Sequence, residues 1–187
     1  MPRPNWFFAF PIDGKFVLEL PPLPTNFRRF HPEDVHLTLA FLGGVSETVA
    51  HDALAALDAR LLAVPVSGFD VSLAEVVPMG GSRRSYSALS ALLGHGRSEA
   101  SACVGALRDL LTETAAGRRD ERPPKPHVSI ARPRTRATEA DRAAGLLWAA
   151  QLELGKVNAR LDRIALYTWT EARREQLFQI VAERPLR

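Results

Sequence analysis

Apolar residues recur along this chain at two spacings, every second position or every third to fourth, and the switches between them outline its elements. Trp6 to Phe10 is a short aromatic run closed by Pro11, the pattern of a buried strand entering a sheet. Asp13 to Leu20 predicts a short helix, ended by Pro21, Pro22 and Pro24 before a loop that carries Arg28, Arg29 and His31. Val35 to Leu42 alternates as a strand up to Gly43-Gly44. Ser46, with Glu47 in the first turn, predicts a helix start, and leucines at helical spacing follow through "HDALAALDARLLA". Val66 to Val77 predicts a strand pair, or one long strand bent near Gly68, and Tyr86 to Leu92 the next strand.

Ser98 to Ala115 predicts a second long helix, with Val104, Leu107, Leu110 and Leu111 on one face and Gly117 as its stop. The loop "GRRDERPPKP" leads into "HVSIARP", another short strand with polar residues set among apolar ones. Glu139 to Ala150 predicts a third helix, followed by strands around Gln151 to Leu154, Ala159 to Trp169 and Gln176 to Val181. Several neighbouring strands have no helix between them, which favours an α+β arrangement over a fully parallel sheet. A chain of 187 residues without a repeat of solenoid length is expected to form one domain, 1–187, of two tightly joined lobes.

Composition changes this picture little. An apolar fraction of 46% and a charged fraction of 24% are ordinary for a folded domain and give no support to a disordered, collagen-like or coiled-coil chain. The single cysteine, Cys103, has no internal partner, so nothing points to an oxidising compartment and a cytoplasmic location is the expectation. The opening "MPRPNWFFAFPIDGK" reads as a first strand rather than a signal peptide, and no apolar stretch approaches the about 18 residues of a membrane span. Net charge is only +3, but arginines gather at Arg83-Arg84, at Arg118-Arg119 and from Arg132 to Arg136. Guanidinium forks suit phosphate, so nucleic-acid or nucleotide substrates are permitted, while the bland account of such clusters is a solvated surface.

Two segments carry candidate chemistry: "HLTL" (His36 to Leu39) and "HVSI" (His127 to Ile130) share the form histidine, apolar, hydroxyl, apolar. In a strand, residues i and i+2 lie on one face, so His36 points with Thr38 and His127 with Ser129 while the apolar residues anchor behind. One copy of so loose a pattern is more often structural than catalytic. Two copies 91 residues apart, His36 and His127, are stronger, and each is followed by a loop-forming Gly or Pro. Side by side, the hydroxyls can hold a phosphate while one imidazole takes a proton and the other gives one, with no metal required.

Together, "PEDVHLTLAFLG", "KPHVSIARP", the opening "WFFAF" and the late "IALYTWTEARREQLFQIV" resemble the two-histidine phosphoesterases, and among them the LigT-like RNA 2',3'-cyclic phosphodiesterases. The resemblance spans nearly the whole chain. It implies a two-lobed α+β fold with pseudo-twofold symmetry, mainly antiparallel sheets lining a central cleft, helices outside, and one motif from each lobe. It makes His36 and His127 the acid/base pair and Thr38 and Ser129 the phosphate-binding hydroxyls, Ser129 replacing the more usual threonine. It also matches Arg132 to a basic residue after the second motif and Phe7 to a first-strand aromatic that contacts base or ribose; surface and core are the bland accounts of these two. The implied reaction opens a ribose 2',3'-cyclic phosphate with water to leave a 2'-phosphate, and a related, reversible ligation joins such an end to a 5'-hydroxyl as a 2'-5' linkage. Which histidine is the base stays open; for departure of the 3'-oxygen the favoured order has His36 protonating that oxygen and His127 activating water.

The expected partner is therefore an RNA or nucleotide with a 2',3'-cyclic phosphate end, handled by a monomer without cofactor, metal or membrane. Within the same class, 2'-5' oligonucleotides or an ADP-ribose cyclic phosphate are rival substrates. From other classes come an RNA-end binding module without turnover and a metal site drawn from His31, His36, His51, His95 and His127, which lacks accompanying acidic or cysteine ligand spacing.

Overall fold

In the computed structural model, which describes residues 4–82, 85–117, 119 and 121–187, the N-terminal aromatic run forms strand β1 (Trp6–Pro11), buried throughout. Arg83, Arg84 and Arg118, members of two of the arginine clusters, lie outside the described residues. Asp13 accepts from the Lys15 N–H and caps a 3-10 turn over Gly14–Glu19, so the short helix exists in the tighter form. The proline loop holds a strand that its sequence does not announce, β2 (Phe27–Arg29), and Arg29 fastens this loop by donating to the Leu20 and Pro21 carbonyls, each at 2.9 Å.

Strand β3 (His36–Gly43) leads to helix α1 (Glu47–Ala63), whose first turn is capped by Ser46 accepting from the Val49 N–H. Strand β4 (Phe69–Met79) is single and long, and β5 (Ala88–Leu93) begins two residues later than expected, leaving Tyr86 buried outside it. Helix α2 (Arg97–Thr114) ends through a left-handed residue, but that residue is Ala116 (φ 53°) rather than Gly117. The Gly117 N–H bonds back to the Thr112 carbonyl, and a Cβ on Gly117 would stand 2.8 Å from Thr112 Cγ2, so the glycine permits close approach.

Strand β6 (His127–Pro133) and helix α3 (Glu139–Ala150) match their predicted ranges, whereas Gln151 to Leu154 form no strand. The expected strand Ala159 to Trp169 is two, β7 (Asn158–Leu161) and β8 (Arg163–Trp169), because β7 pairs with β4 and β8 with β1: the chain crosses between lobes at Asp162. Strand β9 (Phe178–Pro185) completes the described chain.

Every strand pair is antiparallel, in the order β7-β4-β5-β6-β3-β1-β8-β9, with β2 also beside β6. The order is balanced about its centre, where β6 and β3 meet and each leads outward through three further strands, which is the topological form of a pseudo-twofold axis. The helices pack outside this curled sheet, α2 against β3 and α1, and α3 against β4. Phe8, Phe10, Leu37, Leu39, Leu57, Leu89, Leu107, Leu111 and Ile130 are fully buried between sheet and helices. Burial of each such side chain favours folding by about 1.5–3 kcal/mol, and this fixes the opposite sheet face as the open one. Among the described residues no helix is long and apolar enough to cross a membrane.

Candidate active site

The two motifs meet where β3 meets β6. Buried Leu37 and Leu39 alternate with half-buried His36 and Thr38, and buried Val128 and Ile130 alternate with half-buried His127 and Ser129. Leu37 stands opposite Val128; continuing that antiparallel register by one residue places His36 across from Ser129 and Thr38 across from His127. Cross-strand partners share a face, so all four polar side chains rise from one surface.

Strict alternation would turn Phe41 and Arg132, each five residues beyond its histidine, toward the core. A β-bulge in each strand prevents this. In β3, Ala9 pairs with Thr38 but Phe8 with Ala40, so Leu39 is the extra residue; in β6, Ser90 pairs with Ser129 but Leu89 with Ala131, so Ile130 is extra. Leu39 and Ala40 are therefore both buried, as are Ile130 and Ala131, and alternation resumes with Phe41 and Arg132 on the cleft face. Phe41 is 64% exposed there, beside Phe7 with ring centroids 5.6 Å apart.

Each histidine is oriented by its own backbone. His36 Nδ1 lies 2.7 Å from the Asp34 carbonyl, and His127 Nδ1 lies 2.7 Å from the Lys125 carbonyl. A carbonyl can only accept, so Nδ1 carries the proton in both rings and each Nε2 is left for the cleft. The residue two before His36 is itself anchored: buried Asp34 accepts from the Leu177 N–H (3.0 and 2.9 Å) and the Phe178 N–H (2.9 Å). Burial pushes the Asp34 carboxyl above its ordinary value, against the pull of these two N–H donors.

Around His36 the cleft face is aromatic. Phe7 lies 4.9 Å from its ring and stacks on Tyr167 at 5.0 Å, while Tyr167 and Phe178 stand 5.5 and 5.6 Å from the imidazole. Burial lowers the His36 pKa to about 4; its bond to the Asp34 backbone works the other way, and charge on nearby His127 adds to the lowering. The ring is thus neutral at physiological pH.

Along β6 beyond His127 the cleft face is small and polar, with Ser129 opposite His36 across the strands. Ser129 Oγ lies 2.9 Å from the hydroxyl of fully buried Ser90, which sits opposite it on β5. Arg132 lies over the Phe30 ring at 5.9 Å; burial, then the neighbouring Arg28 and Arg173, hold its guanidinium below the usual arginine value. A cavity of about 860 Å³ opens beside Thr38 and His127, walled by Val104 and Arg108 of α2 and by the loop entering β6. A second, of about 490 Å³, lies past Arg132 among Arg28, Tyr86, Arg134 and Arg142.

The structure thus gathers His36, Thr38, His127 and Ser129 on one face, with Phe7 against His36 and Arg132 farther along β6. Phe7 is 1% exposed, which makes it a wall behind His36. Sequence reasoning missed Asp34, Ser90, Tyr167, Phe178 and Phe41. One signal was readable: the repeat extends to "HLTLA" and "HVSIA", with a shared alanine where each strand bulges. Among the described residues no group of three or more His, Cys, Asp or Glu is placed to hold a metal ion.

A family model described as the 2'-5' RNA ligase superfamily matches residues 24–173. Among solved structures, the chain is similar to Escherichia coli LigT complexed with ATP, at 20% identity and a TM-score of 0.64 over 98% of both chains. TT0787 of Thermus thermophilus aligns at 20% identity and a TM-score of 0.67 over 98% of both chains. Usb1 of Kluyveromyces marxianus aligns at 14% identity and 0.55, covering 98% of this chain and 97% of its own. No curated protein matched by sequence. These likenesses establish the fold.

Proposed function

The chain belongs to the 2'-5' RNA ligase superfamily, and from that premise we propose that it hydrolyses the 2',3'-cyclic phosphate at the end of an RNA to a 2'-phosphomonoester, without a metal. The observation that supports this most is the paired geometry: two imidazoles fixed by Nδ1, with two hydroxyls, on one face where β3 meets β6. LigT of Escherichia coli has been solved with 3'-AMP and with ATP, which agrees with a nucleotide-sized phosphate ligand.

Thr38 and Ser129 donate hydrogen bonds to the non-bridging phosphate oxygens, Ser90 setting the rotamer of Ser129. One imidazole Nε2 takes a proton from water as the water oxygen bonds to phosphorus; the P–O3' bond breaks, and the other imidazolium gives its Nε2 proton to the departing oxygen. The neutral state of His36 suits it to be the base and leaves His127 as the donor, the reverse of the order favoured from the sequence. With a 5'-hydroxyl in place of water, the same transfers join a cyclic end to that hydroxyl: the P–O5' bond forms, the P–O3' bond breaks, and a 2'-5' linkage results. Because β3 and β6 belong to different lobes, residues 1–187 act as one domain, and one chain holds both histidines.

Wild type should convert a nucleoside 2',3'-cyclic phosphate to the 2'-monophosphate in the presence of chelator, with the product identified by phosphorus NMR. His36→Ala and His127→Ala should each lower turnover by about 10²–10⁴-fold while remaining folded. Full activity in either variant refutes the assignment; tight RNA binding without phosphomonoester release identifies a binding module instead.

A further inference from the structure

Arg28, Arg132, Arg134 and Arg142 line the cavity of about 490 Å³ that follows the catalytic face along β6, and among the described residues no carboxylate lines it. Arg28 is the cross-strand partner of Arg132, so the two share a face. What holds these side chains orients them without neutralising them. Arg28 donates to the carbonyls of Arg173 (3.3 Å), Arg174 (2.8 Å) and Glu175 (3.0 Å), and Arg134 Nε donates to the Phe27 carbonyl at 3.2 Å. Arg142 donates to the Tyr86 carbonyl and lies over the Tyr86 ring at 5.4 Å, while Arg132 lies over Phe30. Among the described residues no carboxylate forms an ion pair with any of the four. Asp34 acts electrostatically on Arg28 and Arg132, but its oxygens are occupied by the Leu177 and Phe178 N–H groups.

The larger cavity on the other side of His127 is also basic, lined by Arg108, Arg119, Arg122 and Lys125, but two of its arginines have carboxylate partners. Arg119 pairs with Glu113 and Arg108 with Asp109, and Leu39, Ala40 and Val104 give it apolar walls. The cavity past Arg132 differs in that, among the described residues, none of its four arginines is paired with a carboxylate. Arg132 follows Ser129 by three residues, about 10 Å at the strand rise, which separates this cavity from the phosphate held by the hydroxyls.

We propose that this arginine cavity is a second phosphate site, and that it takes the phosphodiester on the 5' side of the terminal nucleotide. The inference rests on the cyclic phosphodiesterase reading: a cyclic phosphate terminates the chain, so the rest of the substrate leaves the catalytic face in the 5' direction only. The preferred substrate is then an oligonucleotide, and a mononucleotide leaves the cavity unused.

The test compares kcat/KM for a short oligoribonucleotide ending in a 2',3'-cyclic phosphate with that for the corresponding nucleoside 2',3'-cyclic phosphate. Wild type should prefer the oligonucleotide by about tenfold or more at low salt, and the preference should fall with a log–log salt slope of about −0.7 per phosphate contact. In the double variant R134Q/R142Q the preference should drop to about threefold or less, and in R134K/R142K, which keeps the charge, it should largely return. Equal kcat/KM for both substrates in wild type, or an undiminished preference in R134Q/R142Q, overturns the inference. If wild type turns over neither substrate, the catalytic reading has failed, and fluorescence anisotropy with a labelled oligonucleotide bearing a 3'-terminal phosphate decides the cavity separately. About fivefold weaker binding by R134Q/R142Q, recovered in R134K/R142K, supports the second site; equal binding by wild type and R134Q/R142Q refutes it.

Discussion

His36 and His127 stand at equivalent points of the two lobes, each opening its strand and each bonded through Nδ1 to the carbonyl two residues earlier, yet their surroundings share almost nothing. His36 is walled by Phe7, Tyr167 and Phe178, and its supporting carbonyl belongs to a buried aspartate tied to β9. His127 follows a proline-rich loop, faces Thr38 across the strands and borders the cavity of about 860 Å³ walled by α2. The duplicated backbone supplies geometry twice, and burial behind aromatic rings on one side only lowers the proton affinity of His36. A reaction that needs one base and one acid needs that asymmetry.

The most severe way to break the comparison is to remove either ring. His36→Ala or His127→Ala should lower kcat by about 10²–10⁴-fold on a nucleoside 2',3'-cyclic phosphate, and the double variant should lose far less than the product of the two. Near-normal turnover by one variant would assign the whole reaction to the other histidine. Next in size is the support of His36. Asp34→Ala strands two N–H groups at Leu177 and Phe178, at a cost of about 2–4 kcal/mol in denaturant unfolding, whereas Lys125→Ala keeps its carbonyl and should cost under about 0.5 kcal/mol. Equal losses would show that the lobes are supported alike.

Acid sharpens the same contrast. A histidine whose folded pKa lies near 4 rather than 6.5 leaves the unfolded chain binding more protons between those values, so its stabilising contribution is full above pH 6.5 and is lost as pH falls toward 4. Wild type should lose on the order of 2–3 kcal/mol over that window relative to His36→Gln, after allowance for the solvent the ring still meets. Parallel stability curves for the two proteins would contradict the enclosure of His36. The smallest expected effect is at Ser90. Ser90→Ala removes the partner that orients the Ser129 hydroxyl and should lower kcat/KM by about three- to tenfold, with about 1 kcal/mol of stability lost. Compensating rotation of Ser129 would show as unchanged kinetics.

The motif pair was legible because it is local. Period-two alternation in "HLTL" and "HVSI" is enough to put each histidine beside its hydroxyl, and Ser46 and the leucine spacing are enough to start and continue α1. What escaped depends on pairing between distant segments. Phe27–Arg29 is a strand only because β6 offers it an edge, and the split at Asp162 is set by β4 and β1 claiming its two sides. The bulges at Leu39 and Ile130 have no punctuating glycine, so simple alternation sends Phe41 and Arg132 the wrong way. The support that Asp34 gives His36 requires Leu177 and Phe178 to be brought to it from across the chain, and the enclosure of His36 depends on aromatic rings supplied by three different strands.

The central claim is that two histidines, His36 held neutral by its burial, face one phosphate, and histidine nitrogen-15 NMR at pH 6 with and without a nucleoside 2'-monophosphate reads both parts. His36 should appear as the neutral Nδ1–H tautomer in the free protein, and the Nε2 resonances of both His36 and His127 should shift together as the ligand is added. A charged His36 in the free protein, or ligand shifts confined to one of the two rings, would contradict the account.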